Sequence, residues 1–250
     1  MNRQQFYEAL GDGDVRNALF GKPGTAHFPV VWQLARLGLD EERIKKMEDK
    51  NVLDLGCGNG ELVKFLIKKR IKAEGISPDA PEGDGFMRQK VKSIYPLEGS
   101  IPREDEFYDI VLSNSNNTFC LAFSSHIETS RRMAISHGRG DLNYLDRFDA
   151  NTKKMGVEAH LMMIEALRVL KKGGRLICSP YLDTLQEKMS FELSQGNYRI
   201  EKEKDESVLV MEEMMRHDQD AIKLFESMGY QTDKEIIPDY LKNRMILYKE

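Results

Sequence analysis

The chain has 250 residues, of which 40% are apolar and 31% charged, and its formal net charge is −4 at pH 7. This balance is typical of a globular protein with a sizeable core, and the negative charge provides no overall basic field for nucleic acid. No stretch reaches the roughly 18 apolar residues of a membrane helix, and the first residues lack the apolar segment of a signal peptide. The three cysteines have neither paired nor metal-binding spacing. We therefore predict one cytoplasmic domain over residues 1–250, without a metal site or a membrane partner.

The first part of the chain, residues 1–49, is predicted to form an N-terminal helical cap. Within it, the segment from Phe28 to Leu37 has the spacing of an amphipathic helix and contains Trp32. Such a helix can cover a ligand or simply pack on the edge of a sheet. The sequence leaves both alternatives open.

The most informative stretch is residues 52–60, Val-Leu-Asp-Leu-Gly-Cys-Gly-Asn-Gly. Its apolar residues predict a buried strand. The glycines at every second position predict a sharp turn, where the backbone approaches a ligand closely. Residues 61–70 have helical apolar spacing, an acid at the start and cations at the end, which predicts a helix. A strand, a glycine loop and a helix in this order form the βα arrangement in which the turn binds a ligand.

The spacing of the loop differs from that of the dinucleotide-binding proteins. Their pattern is Gly-x-Gly-x-x-Gly, with a pyrophosphate at the helix N-terminus. Here the glycines are one residue closer, and Asp54 precedes them. A carboxylate beside the loop disfavours a phosphate and favours a cationic ligand. The pattern Asp-x-Gly-x-Gly-x-Gly after an apolar strand resembles motif I of the class I S-adenosylmethionine-dependent methyltransferases.

This resemblance implies a cofactor, S-adenosylmethionine, and a Rossmann-like sheet of seven strands. In the family, the loop backbone lies under the methionine part of the cofactor, and the acid helps to hold its ammonium group. A glycine-rich turn without a ligand is the alternative. The loop residues that the resemblance assigns to the cofactor are Asp54, Gly56, Cys57, Gly58, Asn59 and Gly60.

The expected ribose site departs from the family pattern. Residues 72–78 predict a second short strand, and family members usually end it with an acid that accepts hydrogen bonds from both ribose hydroxyls. The nearest carboxylates are Asp79 in the following turn and Glu74, which the alternation of a strand can direct away from the ligand. By position, the contacts expected from this strand are Gly75, Ile76 and Ser77.

The adenine and the transferred methyl group have less distinctive expected contacts. Family members often carry a Gly-Asp pair before the fourth strand, where this chain has Glu98, Gly99 and Ser100. Either Glu98 or Ser100 could bind the adenine amine, and a solvated loop is the alternative. Residues 107–114 predict the fourth strand, and Asn114 at its end is expected near the methyl group. The prolines of the Asn-Pro-Pro-aromatic motif of amino-group methyltransferases are absent, so methylation of nucleic-acid bases is not favoured.

The rest of the chain continues the alternation of helices and strands, which predicts an α/β fold with a doubly wound, mostly parallel sheet. Residues 158–170 predict a helix that Gly173 and Gly174 stop, and residues 175–179 predict the next strand. The phrases before the fifth and sixth strands also resemble those of the family. A helix is then expected at 221–228, followed by two final strands, one of them antiparallel, at 230–237 and 244–248.

Two elaborations of this pattern are predicted. The connection Ser115–Gly156, of about forty residues, is far longer than usual for an α/β unit and leaves the edge where ligands bind. It contains aromatic residues and arginines, so we predict an inserted lid with a helix at 119–135. The arginines favour an anionic substrate, although solvated arginines are the commoner case. Residues 190–215 predict a charged hairpin followed by a helix, with the run 201–206 as the solvated turn.

Methyl transfer from a sulfonium needs alignment and exclusion of water, and an oxygen or nitrogen acceptor can also need a base. The candidate bases are His126 and His137 in the predicted lid and His160 in the following helix. His160 lies on the apolar face of that helix, where a half-buried structural histidine is the favoured interpretation.

The sequence thus predicts an S-adenosylmethionine-dependent methyltransferase that acts on a small molecule. One alternative is an RNA or protein methyltransferase that docks its substrate on the arginines of the lid. Another is a cofactor-binding scaffold without catalysis, which the missing ribose acid would explain.

Overall fold

The computed structural model describes residues 30–77, 85–88, 101–114, 117–125, 142–217, 219, 222–223, 226, 237 and 239–250. In chain order the elements are α1 (Val30–Leu37), α2 (Glu41–Lys45), β1 (Asn51–Leu55), α3 (Glu61–Lys68), β2 (Lys72–Ser77), β3 (Phe86–Arg88), β4 (Tyr108–Asn114), α4 (Asn117–Phe123), α5 (Leu142–Val169), β5 (Leu170–Ser179), α6 (Leu185–Lys188), α7 (Ser190–Ser194), β6 (Tyr198–Lys204), α8 (Glu206–Met215), a 3-10 helix (Asp239–Lys242) and β7 (Asn243–Lys249).

The strands form one sheet in the order β3-β2-β1-β4-β5-β7-β6. The strands β1 to β5 pair in parallel, and β7 runs antiparallel to both of its neighbours. The predicted α/β class with a mostly parallel sheet is confirmed. The chain moves outward from β1 to β3 and then crosses to β4, so the strand order reverses between β1 and β4. Ligands of open α/β sheets bind at the carboxyl ends of the strands at such a reversal.

The two faces of the sheet carry separate apolar layers, because side chains alternate along a strand. Leu53 of β1 and Val111 of β4 belong to the layer that α5 covers. Val52 and Leu112 belong to the opposite layer, together with residues of α1 and α3. The alternation therefore directs Asp54 to the face that α1 and α3 cover.

Helix α1 packs on the sheet through apolar and ionic contacts. It lies against β4 and β5, and Trp32 is buried. Arg36 Nη1 lies 3.0 Å from Asp205 Oδ2 and donates a hydrogen bond to the Leu241 carbonyl (2.9 Å). Arg244 of β7 donates to the carbonyl groups of Ala35 (3.0 Å) and Arg36 (3.1 Å). The described part of the N-terminal segment thus packs on the sheet, and residues 1–29 of the predicted cap lie outside the described residues.

Helix α5 begins at Leu142, well before the predicted start at residue 158, so residues 142–156 of the predicted lid are its first turns. The predicted lid helix at 119–135 is α4 as far as Phe123, and residues 126–141 lie outside the described residues.

The glycines after α5 have a different role from the predicted one. The helix ends at Val169, and Leu170 already pairs with Tyr108 in the sheet. The pairing then moves from Leu170 to Arg175, which leaves residues 171–174 as a bulge. Gly173 has φ +74°, and a Cβ on Gly174 would come within 2.9 Å of the Asp109 carbonyl oxygen. The glycines therefore form a strand bulge and do not stop the helix.

Residues 201–204 of the charged run 201–206 belong to a strand and not to the predicted solvated turn. Residues 198–204 form β6, which pairs with β7 along its full length at the edge of the sheet. Charged side chains are usual on an edge strand, because they oppose pairing with other chains. The helix predicted after this run is α8. The helix predicted at 221–228 and the strand predicted at 230–237 lie outside the described residues, except for positions 222–223, 226 and 237.

Candidate functional site

The glycine loop joins β1 to α3 at the carboxyl edge of the sheet. Gly56, Gly58 and Gly60 have φ values of +89°, +52° and +75°, in the region that side chains rarely adopt. The backbone N–H groups of Gly56 (2.8 Å) and Cys57 (3.3 Å) donate to the Ile76 carbonyl, which fixes the loop to the end of β2. A Cβ on Gly58 would meet no atom of the described residues within 4 Å. The loop therefore has room beside Gly58 for a ligand to approach the backbone.

Asp54 lies directly before this loop and is the main polar group of the site. Its side chain is 3% exposed, and its Oδ2 atom has no hydrogen-bond partner among the described residues. Burial raises the pKa of Asp54 to about 7, because the charged form is poorly solvated there. A cation bound at this oxygen would favour the charged form and satisfy the buried acceptor. The site therefore suits a ligand with an ammonium group, as the sequence predicted.

Two further polar side chains end the neighbouring strands on the same face of the sheet. Asp54 pairs with Leu112 in the register of β1 and β4, and Asn114 pairs with Ser179 in the register of β4 and β5. The alternation of strands thus directs Asp54, Asn114 and Ser179 to one face. The hydroxyl of Ser179 is buried, and no described residue forms a hydrogen bond with it. Ser179 was missed in the sequence, although the predicted strand 175–179 and its alternation could have identified it.

The contacts predicted for the ribose lie beside the glycine loop. A Cβ on Gly75 would come within 2.7 Å of Cys57 Sγ and 2.9 Å of Val63 Cγ2, so this glycine lets β2 and the loop pack closely. Ile76 supplies the carbonyl that binds the loop. Ser77 is buried at the end of β2. The structure therefore places these three residues beside the loop. Gly75 contributes through close packing and Ile76 through its backbone carbonyl.

The Glu74 carboxylate binds other side chains of the protein, as the alternation of the strand suggested. Its carboxylate accepts hydrogen bonds from Arg103 Nε (2.9 Å), from Arg103 Nη2 and from the Tyr108 hydroxyl. Burial disfavours its charged form, but these hydrogen bonds outweigh burial and hold the pKa of Glu74 below its usual value. Glu74 is thus a structural partner of Arg103 and not a ribose ligand.

Of the three candidate bases, the structure describes only His160. His160 Nε2 lies 2.7 Å from Glu192 Oε1, a contact that joins α5 to α7. This partner gives His160 a structural role. The predicted site residues Asp79, Glu98, Gly99, Ser100, His126 and His137 lie outside the described residues.

Two classes of feature do not occur in the part of the chain that the structure describes. No three His, Cys, Asp or Glu side chains are grouped there as metal ligands. Among the same residues, no helix is both long and apolar enough to cross a membrane.

Comparison with known proteins gives one partial family match and many similar folds. A sequence family described as "Methionine biosynthesis protein MetW" matches residues 40–110, which include β1, the glycine loop, α3 and β2. No curated protein sequence matches the chain.

Three of the similar solved structures span nearly the whole chain. The plantazolicin methyltransferase BpumL in complex with SAH is 10% identical, with a TM-score of 0.44, and the match covers 99% of each chain. A TehB-like SAM-dependent methyltransferase from Corynebacterium glutamicum is 14% identical, with a TM-score of 0.43, over 100% of each chain. A putative S-adenosyl-L-methionine-dependent methyltransferase from Methanococcus maripaludis is 14% identical, with a TM-score of 0.38, over 100% of this chain and 96% of that one.

Similarities this low carry no argument about substrate or reaction. The sheet order, the glycine loop after β1 and the family match over residues 40–110 are the stronger findings. The sheet order and the glycine loop agree with the predicted resemblance to the class I S-adenosylmethionine-dependent methyltransferases.

Proposed function

We propose that this chain is a single-domain methyltransferase that uses S-adenosylmethionine and acts on a small molecule through an oxygen or nitrogen acceptor. The observation that carries the proposal is the buried Asp54 carboxylate beside a loop of three glycines with positive φ. One of its oxygens has no hydrogen-bond partner in the part of the chain that the structure describes. The cofactor presents an ammonium group at its methionine end, and this group matches the unpartnered acceptor in charge and in hydrogen bonding.

The residues of this chain bind and align, because the cofactor itself supplies the leaving group for methyl transfer. Asp54 accepts a hydrogen bond from the ammonium group, and the loop brings the backbone close to the methionine part. Asn114 and Ser179 end the next two strands on the same face and are proposed to hold the acceptor. An amide and a hydroxyl orient an acceptor but do not remove its proton at neutral pH. A neutral nucleophile such as an amine therefore suits this pair of side chains best.

A small substrate is supported by the acidic net charge of the chain and by the segments that the sequence predicts over the carboxyl edge. Arginines of the predicted lid favour an anionic group on that substrate. RNA would require phosphate contacts, and these weaken steeply as salt rises. A salt series of binding separates the two classes of substrate.

Replacing Gly58 by valine tests the cofactor assignment. We expect calorimetry to show binding of S-adenosylmethionine and S-adenosylhomocysteine to the wild type, and no binding to Gly58→Val, because the new side chain occupies the space beside the loop. Gly173→Val is the matched control. Gly173 also has a positive φ (+74°), and a Cβ added there would meet no described atom within 4 Å, but it lies in the bulge of β5. The Gly173→Val variant carries the same kind of backbone strain as Gly58→Val and should leave cofactor binding unchanged.

Circular dichroism checks that both variants retain the fold. The proposal is wrong if the wild type gives no heat with either ligand and instead binds a nicotinamide dinucleotide.

A further inference from the structure

One ion pair of α5 forms hydrogen bonds with both the backbone amide and the backbone carbonyl of Ile101. Glu165 Oε2 accepts a hydrogen bond from the Ile101 amide (2.8 Å), and Arg168 Nη2 donates to the Ile101 carbonyl (2.9 Å). Arg168 also donates hydrogen bonds to Glu165, because its Nε and Nη2 atoms each lie 2.8 Å from a Glu165 oxygen. We call this pair the Glu165–Arg168 clamp.

The clamp reaches along the segment that leads into β4. Arg168 Nη1 donates to the Arg103 carbonyl (2.9 Å) and to Asp105 Oδ1 (2.7 Å). One guanidinium thus contacts four acceptor groups, which its planar fork of donors permits and a lysine ammonium does not. The hydrogen bond to Glu165 is the main cause that raises the pKa of Arg168, so the clamp stays charged.

The same segment is also tied to β2. Arg103 follows Ile101 by two residues and forms the bidentate pair with Glu74. Glu74 precedes Gly75, Ile76 and Ser77, which end β2 beside the glycine loop. The clamp and the Arg103–Glu74 pair therefore fix the approach to β4 against the strand that carries the predicted ribose contacts.

The side chain of Ile101 connects this segment to the packing of the candidate site. Its side chain is 3% exposed and lies in the same apolar layer as Leu55 and Ile76. Leu55 ends β1 directly before the glycine loop, and Ile76 binds that loop through its carbonyl. A shift of Ile101 would therefore disturb the packing beneath the cofactor site.

We propose that Glu165 and Arg168 are positioning residues for the adenosine half of the cofactor. This inference rests on the proposed function and goes beyond it. The two residues act through the backbone of Ile101, by holding the segment before β4 against the end of β2. Residues that support a binding site from outside in this way determine how rigidly the site is held in its binding geometry.

The experiment compares Arg168→Gln with Arg43→Gln. Arg43 forms a similar fork, because it donates to Glu203 and to the Gly38 carbonyl (3.0 Å), but it joins α2 to β6. Calorimetry measures the Kd of S-adenosylhomocysteine and of 5′-methylthioadenosine, which has the adenosine half without the methionine end. We expect Arg168→Gln to raise both Kd values about tenfold, the usual size of an indirect coupling.

Arg43→Gln should change both Kd values less than about twofold, because distant sites act independently. Arg168→Lys should give a smaller rise than Arg168→Gln, since it keeps the charge but loses the fork. Glu165→Gln is the second variant, and it should raise both values even if Arg168→Gln fails to fold.

The inference is overturned if the variants melt at lower temperature but bind both ligands with the wild-type Kd, because the clamp would then be structural only. It is also overturned if only S-adenosylhomocysteine loses affinity, which would assign the effect to the methionine end. A wild type that binds neither ligand contradicts the proposed function itself, which is a separate result.

Discussion

Asp54 is the residue whose protonation is expected to change when the cofactor binds. Its pKa of about 7 in the free protein is raised by burial, far above the ordinary aspartate value near 4. The neutral form therefore predominates below pH 7, and an ammonium group can pair only with the charged form. Binding at mildly acidic pH must release a proton from this carboxyl.

We predict that the affinity for S-adenosylhomocysteine depends on pH through Asp54. The Kd should rise by up to about tenfold for each pH unit below 7 and should level off above 8, because deprotonation precedes pairing. Calorimetry at about pH 6 in buffers of different ionisation enthalpy should count nearly one proton released per ligand bound.

The control for this titration is Asp54→Asn, which keeps the shape of the side chain and removes the charge. This variant should bind weakly at every pH and release no proton. A wild-type Kd that is equal at pH 6 and pH 8 would show that Asp54 does not bind the ammonium group.

At the scale of elements, the contact between α1 and α8 depends on a buried ion pair. The side chain of Arg36 is 6% exposed and that of Asp205 is fully buried. Asp205 Oδ2 has no hydrogen-bond partner within the described ranges, so its attraction to Arg36 is ionic, while Oδ1 accepts a hydrogen bond from the Ser207 amide (3.1 Å). Removing one partner of such a pair leaves the other charge buried and uncompensated.

We predict that Arg36→Met lowers the free energy of unfolding by about 3 kcal/mol, the usual cost of breaking a buried pair. Denaturant unfolding measures this loss, and adding Asp205→Asn to the same chain should recover part of it. The matched control is Arg216→Met, which removes an exposed guanidinium near Glu212 and Glu213. Glu212 keeps its ion pair with Lys242 (2.9 Å), so this change should cost less than about 0.5 kcal/mol. Equal losses in the two single variants would contradict the buried-pair interpretation.

The elements that the sequence predicted well are those whose signals are local. The glycine loop is specified by nine consecutive residues, 52–60, and the positive φ values within these residues all occur at glycines. Strand β6 was missed because its residues 201–204 are charged and exposed, and only pairing with the distant β7 makes them a strand. The start of α5 was missed because none of the apolar side chains at residues 149–157 is buried. The apolar spacing that identifies a helix is therefore weak there.

For the whole molecule, selective binding should appear as selective stabilisation. A ligand that binds only the folded state adds about 2.7 kcal/mol of stability at a concentration of one hundred times its Kd. The site has a carboxylate beside its loop, which repels a pyrophosphate, and glycines spaced too closely for the dinucleotide pattern.

We predict that S-adenosylhomocysteine raises the melting temperature and that nicotinamide dinucleotides do not. A thermal shift series over ligand concentration measures this difference at fixed protein concentration. Gly58→Val should show no shift with either ligand, while Gly173→Val should behave as the wild type. An equal shift from a dinucleotide at equal concentration would contradict the assignment of the loop.

The position of β7 between β5 and β6 has a consequence for how the protein is made. During synthesis β6 leaves the ribosome before β7, the strand that separates it from the rest of the sheet. Until β7 emerges, β6 has no neighbour to pair with, and the edge of β5 is open. The parallel part of the sheet, from β3 to β5, can meanwhile assemble as the chain grows. The two strands that close this side must then join it together, once β7 has emerged.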